Sequence, residues 1–213
     1  DSLPADMQAD IEPLRDFLIR HQKIEHKALL KALDSARYRR LISSWRQFLE
    51  DPVNERSTLN NAGRPVSRVA SERIWRIYRR AIREGDAITT ESPADDLHEL
   101  RKTCKKLRYL MEFFQSLYPG GEIKSLIRVL KTLQDNLGDF QDYEVQVATL
   151  KDFSHKMVAE GKVPPDTLLA MGMLIDGLER RQHQAREEFA GRYAGFSAQD
   201  HQDRFRKLFA ASH

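Results

Sequence analysis

A single cysteine in 213 residues leaves no way to form a disulfide within the chain, and a reducing compartment fits that usage. Cys104 lies among leucines and reads as a small core residue before it reads as a nucleophile. Long apolar runs are missing too. The longest, Leu168 to Ile175, contains a glycine and falls far short of the roughly 20 residues that a membrane helix needs. Neither a membrane span nor a signal peptide is expected, and the location that follows is cytoplasmic. Runs of β-branched residues are scarce, so no strand is expected. A glycine-rich phosphate loop, a nucleophile elbow, a cysteine–histidine set and an evident general acid–base pair are all lacking, which disfavours a hydrolase and leaves no catalytic residue to name. Net charge is small at +3 although 31% of residues are charged, so the placement of the cations carries more information than their sum.

What is present is helical periodicity. Apolar residues recur at steps of three and four, good helix formers dominate, and the fold class is all-α, with antiparallel helical bundles. A first helix is expected from Ala5 to Leu33, with Pro13 marking a late start or a kink. Asp34 or Ser35 then caps a second, which carries Tyr38, Leu41, Trp45, Phe48 and Leu49 on one side. The polar stretch from Glu50 to Pro65 reads as a loop and as the internal boundary. It divides a partial first repeat with its connecting loop, 1–65, from a second helical repeat, 66–213. In that second part a helix runs from Val66 to about Asp86. Ser92, Pro93 and Asp95 read as N-cap, first residue and capping-box partner of the next helix, which Pro119, Gly120 and Gly121 end. A fifth helix starts at Glu122 and is expected to break at Gly138, where Asp139 and Asp142 cap a sixth running to about Glu160; both aspartates read as caps rather than catalytic acids. Gly161, Pro164 and Pro165 make a turn, a seventh helix reaches about Tyr193, and Ser197 with Asp200 caps a short last one.

The stretch LHELRKTCKKLRY, from Leu97 to Tyr109, organises the rest. Leu97, Leu100, Cys104, Leu107, Met111 and Phe114 form a stripe for burial, and His98, Arg101, Lys105 and Arg108 repeat the same steps roughly 110° round the helix. Lys102 lies beside them. Like charges at this spacing cost a helix about 0.2–0.5 kcal/mol per pair, so an anion is expected in the groove they line. Arg73, Arg76, Arg80 and Arg83 on the third helix, Arg37 and Arg40 on the second, and Arg128 and Lys131 on the fifth extend the cationic set. Arg128 and Lys131 reach the groove of His98 if the fourth and fifth helices pack antiparallel. The plain alternative is a solvated face in which Glu72, Glu84, Glu99 and Glu112 pair with the cations.

An internal likeness also appears. Leu14, Asp16, Leu18, Arg20 and Gln22 recur 160 positions later as Leu174, Asp176, Leu178, Arg180 and Gln182, and WRQFL from Trp45 corresponds in pattern to FRKLF from Phe205. Duplication and a chance likeness of amphipathic helices both account for it. Under duplication, the counterpart of the His98 helix falls before Asp1, and the chain begins partway through its first repeat.

His98, Arg101, Lys102, Lys105, Leu107, Arg108 and Tyr109, followed by LKTLQDNLGDFQD from Leu130 to Asp142, resemble the CHAD family of histidine-bearing α-helical domains. The shared pattern is a histidine, an arginine three on, a lysine–leucine–arginine–tyrosine end, and a leucine–glycine pair with an aspartate four beyond the glycine. SARYRRLISSW, from Ser35 to Trp45, is similar to the segment that closes the family's first half. The resemblance covers most of the chain and is weakest in Gln8 to Ile24 and after Gly195. It implies two pseudo-symmetric bundles of about four helices, a basic groove between them, and binding of inorganic polyphosphate without catalysis. It also implies His98, Arg101, Lys105 and Arg108 as phosphate contacts, and polyphosphate granules as a place of association. The triphosphate-tunnel hydrolase domain that often accompanies the family leaves no trace here. The family's usual first histidine–arginine helix is also missing, and a half-groove then binds weakly or needs another chain.

Rival functions remain open from the residues. His98, exposed and followed by Arg101 and Lys102 on a bundle helix, has the makings of a phosphorelay histidine. Nucleic-acid binding would use the same cations with Tyr109, Tyr78 or Trp75 to stack bases, and a scaffold would dock an acidic protein. No cofactor is expected. A metal centre is not expected either, because Asp95 and His98 form only one carboxylate–histidine pair where a di-iron bundle needs two and further glutamates.

Overall fold

The computed structural model describes Pro4 and residues 7–52, 61–161 and 163–210. Among them are seven α-helices and no strand: α1 (Glu12–Leu33), α2 (Ala36–Glu50), α3 (Val66–Ala87), α4 (Ala94–Phe113), α5 (Gly120–Ala159), α6 (Pro165–Phe196) and α7 (Gln199–Phe205). A 3-10 turn, Gln115–Leu117, links α4 to α5, and a π turn, Arg206–Ala210, continues α7. The fold is all-α.

Local chemistry accounts for several boundaries. α1 begins at Glu12 with Pro13 in its first turn, where the missing N–H leaves no bond unmade; the start expected at Ala5 lies outside the described residues, as does most of the Glu50–Pro65 loop. Ser35 caps α2, its hydroxyl accepting the Tyr38 N–H at 3.2 Å. Three expectations need correcting. First, α5 runs unbroken for 40 residues, and Gly138, Asp139 and Asp142 lie inside it. One glycine costs a helix about 1 kcal/mol, less than the burial of Leu133, Leu137 and Phe140 around it returns. Second, α4 ends at Phe113, and the Pro119–Gly121 stretch starts α5 instead of ending α4. Third, neither Ser92 nor Ser197 caps a helix with its side chain. Ser92 Oγ instead accepts the Thr89 N–H at 3.0 Å, within a connection that Arg186 grips through the Thr90 and Ser92 carbonyls.

The chain divides into two compact units, one of residues 1–59 and 149–176, the other of 60–148 and 177–213. The stretch from 66 onward thus contributes to both. In the second unit the apolar stripes of α3 (Ile74, Tyr78), α4 (Leu97, Leu100, Cys104, Leu107, Met111) and α5 (Leu126, Leu130, Leu133, Leu137) close on Phe189, Phe196, Phe205 and Phe209. Tyr78 stacks on Phe205 with ring centroids 3.9 Å apart. Tyr193 fills the space that Gly85 leaves by having no side chain, and its hydroxyl lies 2.9 Å from the Ile82 carbonyl and 2.6 Å from the Asp86 carboxylate.

The first unit is held by a smaller cluster of Leu14, Phe17, Met157 and Met171, with Arg20 reaching Glu160 at 3.4 Å. No residue of α2 is buried. Trp45 is 58% exposed where Phe205, its counterpart 160 positions on, is 0% exposed; Leu49 and Phe209 stand at 64% and 2%. Leu29, Leu33, Leu41 and Phe48 are exposed as well.

Candidate anion-binding site

α4 presents Arg101, Lys105 and Arg108 next to the buried Leu100, Cys104 and Leu107, so the core fixes the direction in which these cations point. α5 returns antiparallel to α4. His98 meets Gln141, and Arg101 meets Asp142 at 3.7 Å, while the short 3-10 link joins the opposite ends. Between the two helices lies a cavity of about 370 Å³ lined by Arg101, Lys105, Arg108 and Tyr109 from α4 and by Gln134, Asp135, Gly138, Asp139 and Asp142 from α5.

Two donors among these lining residues have no acceptor. Arg108 Nε and Gln134 Nε2 are buried and make no hydrogen bond; leaving such a group unsatisfied costs about 1–3 kcal/mol. The rest of the Arg108 head is better placed, with Nη1 3.4 Å from Glu112 and the guanidinium 5.2 Å from the Tyr109 ring centroid. Lys105 has no acidic partner among the described residues, and neither Asp135 nor Asp139 has a cationic one. The cavity therefore holds uncompensated groups of both signs.

His98 stands outside the lining. Its Nδ1 is hydrogen-bonded to Gln141 Oε1, and Gln141 Nε2 donates to Glu144 at 3.2 Å. A glutamine amide that gives its N–H to a carboxylate turns its carbonyl to the imidazole, so Nδ1 carries the proton. Lys102 also faces elsewhere and pairs with Glu99.

The α3 stripe does not join the α4 stripe. Arg76, Arg80 and Arg83 line a separate cavity of about 490 Å³ with Trp75, Ile77, Arg79 and Lys106, and Arg73 is exposed outside that lining. Arg80 is engaged by Glu84. Arg128 and Lys131 are exposed on α5; steps of three and four carry their face on to Asp135, Gly138 and Asp142, although neither cation lines the cavity. Arg37 and Arg40 are exposed on α2, in the other unit. All four glutamates proposed as counter-charges do pair: Glu72 with Arg64 and Arg68, Glu84 with Arg80, Glu99 with Lys102, and Glu112 with Arg108. Arg101 and Lys105 are left to the cavity.

Gln134, Asp135 and Lys106 escaped the reading of the sequence. Gln134 had a signal, since it occupies a position on the apolar side of α5 between Leu130 and Leu137, where a polar residue is unusual. Within the described residues no helix is long and apolar enough to cross a membrane, and no group of three or more histidine, cysteine or acidic side chains could hold a metal ion.

A family model described as the CHAD domain matches residues 1–151, a span that contains every residue of the α4–α5 cavity. No curated protein matches the chain.

Proposed function

Because the chain belongs to the CHAD family, we propose that it binds inorganic polyphosphate, without catalysis, in the cavity between α4 and α5. The observation that carries this reading is the pair of acceptorless donors, Arg108 Nε from α4 and Gln134 Nε2 from α5, in the cavity that Arg101 and Lys105 also line. Polyphosphate offers acceptor oxygens and negative charge, which is what those donors and the unpaired Lys105 lack. Arginine forks take two phosphate oxygens at once and set orientation, while Lys105 supplies a compact charge. A linear chain leaving the cavity along α5 would next meet Lys131 and Arg128, which share the helix face. His98 lies outside the cavity and joins α4 to α5 through Gln141. A cytoplasmic site of action, at polyphosphate granules, goes with such a ligand.

Titration with polyphosphate of defined length at two salt concentrations tests the proposal. By analogy with single-stranded nucleic acid, each neutralised phosphate adds about 0.7 to the logarithmic salt slope, so binding should weaken steeply with salt. Arg101→Ala combined with Lys105→Ala should abolish most of it, and single-stranded DNA should compete poorly, because Tyr109 is the one aromatic residue in the cavity lining on which a base could stack. Unchanged affinity in the double variant would return these cations to an ordinary solvated face, and strong competition by DNA would favour a nucleic-acid module.

A further inference from the structure

The acids of the cavity are out of place in a site for a bare polyanion. α5 brings Asp135, Asp139 and Asp142 to one wall at steps of four and three. Asp142 is engaged by Arg101, but Asp135 and Asp139 have no hydrogen-bond or ion-pair partner among the described residues. A phosphate chain reaching for Lys105 and Arg108 would bring its own charge against two free carboxylates, where asparagines would serve better. Gln134 points the other way. It lines the cavity, is only 8% exposed, and carries an Nε2 with no hydrogen-bond partner, which an acceptor oxygen entering beside it would satisfy. The ligand that answers both demands presents acceptor oxygens on one side and positive charge on the other.

We propose that the cavity takes polyphosphate as its magnesium complex, with the divalent cation seated between phosphate oxygens and the carboxylates of Asp135 and Asp139. This rests on the polyphosphate reading above and adds the form in which the ligand is recognised. Magnesium suits the donor set. It keeps several waters and is ordinarily held by one or two carboxylates together with substrate phosphates, whereas calcium asks for six to eight oxygens. No group of three or more ligating side chains is found among the described residues, so the phosphate oxygens and water would have to supply the remaining ligands. Lys105, Arg108 and Gln134 then neutralise and hydrogen-bond the phosphate oxygens that the metal leaves open. By linkage, polyphosphate raises the affinity for magnesium by the same factor as magnesium raises that for polyphosphate.

The experiment compares polyphosphate binding in EDTA and in millimolar free magnesium at matched ionic strength, for the unaltered chain and for Asp135→Asn combined with Asp139→Asn. Both positions are exposed, and circular dichroism checks that the variant keeps its helices. Magnesium should tighten binding to the unaltered chain by about fivefold or more, the lower end of ordinary couplings between sites. In the double variant, metal-free binding should be tighter than in the unaltered chain, and magnesium should now weaken it, since it only neutralises the ligand. Equal weakening by magnesium in both proteins would overturn the metal bridge while leaving polyphosphate binding intact. Tight binding of magnesium alone, followed by calorimetry without polyphosphate, would also overturn it, because the cation would then be resident. If polyphosphate bound neither protein under either condition, the underlying reading would fall and the bridge with it.

Discussion

Asp142 meets Arg101 at 3.7 Å and ties the middle of α5 to the third turn of α4. The aspartate side chain is 64% exposed, and pairs of that kind are worth about 0–1 kcal/mol. Asp142→Asn should therefore leave the urea midpoint almost unmoved while freeing Arg101, so that polyphosphate binds more tightly in EDTA. Weaker binding would mean that Asp142 holds Arg101 in its binding pose.

Gln134→Leu should trade affinity for stability. Leucine fits the apolar neighbourhood of Leu130, Leu133 and Leu137 and removes a buried donor that has no acceptor, which should raise the free energy of unfolding by about 1 kcal/mol. The same change removes the donor proposed to meet a phosphate oxygen, so polyphosphate affinity should fall. A less stable variant in urea titration would show that Nε2 is satisfied by solvent in the free protein.

Gly138→Ala should stabilise the chain. A Cβ at Gly138 would meet nothing within 4 Å, and alanine is favoured over glycine inside a helix by about 0.5–1 kcal/mol. Chemical denaturation checks the sign, and a loss of stability would argue that α5 needs glycine's freedom at this point.

The same residue shows where the sequence was legible and where it was not. The α4 stripe could be read directly, because its apolar and cationic residues are neighbours in the chain and one helix fixes their directions. The opposite wall could not. Treating Gly138 as a break turned Asp139 and Asp142 into caps, whereas the burial of Leu133, Leu137 and Phe140 carries the helix straight through. The three, four, three, four spacing of Arg128, Lys131, Asp135, Gly138 and Asp142 was present all along, but it tells of one face only if the helix is continuous. The α3 cations were counted with the α4 stripe as one cationic set. They meet Lys106 instead, because Lys105 and Lys106 point about 100° apart on α4 and only packing decides which neighbour each one finds. Ser35 was legible for the reason that Ser92 was not: a cap is a local bond, and Ser92 spends its hydroxyl on the preceding turn.

Cys104 gives the chain an alkaline limit. Burial, with a smaller contribution from Glu84, pushes its thiol up from 9.0 to about 12. Between those values the unfolded chain loses a proton that the folded chain keeps, so the folded state binds more protons and stability falls as pH rises. Below 9.0 this contribution is fully present; it is lost through the rise to about 12. Unfolding by urea measured from pH 8 upward should show that decline, and Cys104→Ala should flatten it, leaving the part due to Tyr78 and Tyr193, whose hydroxyls burial also raises. An identical slope in the variant would assign the whole effect to the tyrosines.

The bare apolar side of α2 has a consequence for exchange of its amide hydrogens. With no side chain buried, its 15 residues depend on their own backbone bonds and the Ser35 cap, and helices of about 12–15 residues are marginal when nothing packs against them. Its amides should trade hydrogen for deuterium through brief local fraying, quickly and with little sensitivity to mutations in the second unit. Those of α4, closed in by α3, α5 and the phenylalanines of α6 and α7, exchange only when that unit opens as a whole. A single helical chain thus carries two clocks, and the slower one keeps time for the wall of Arg101, Lys105 and Arg108.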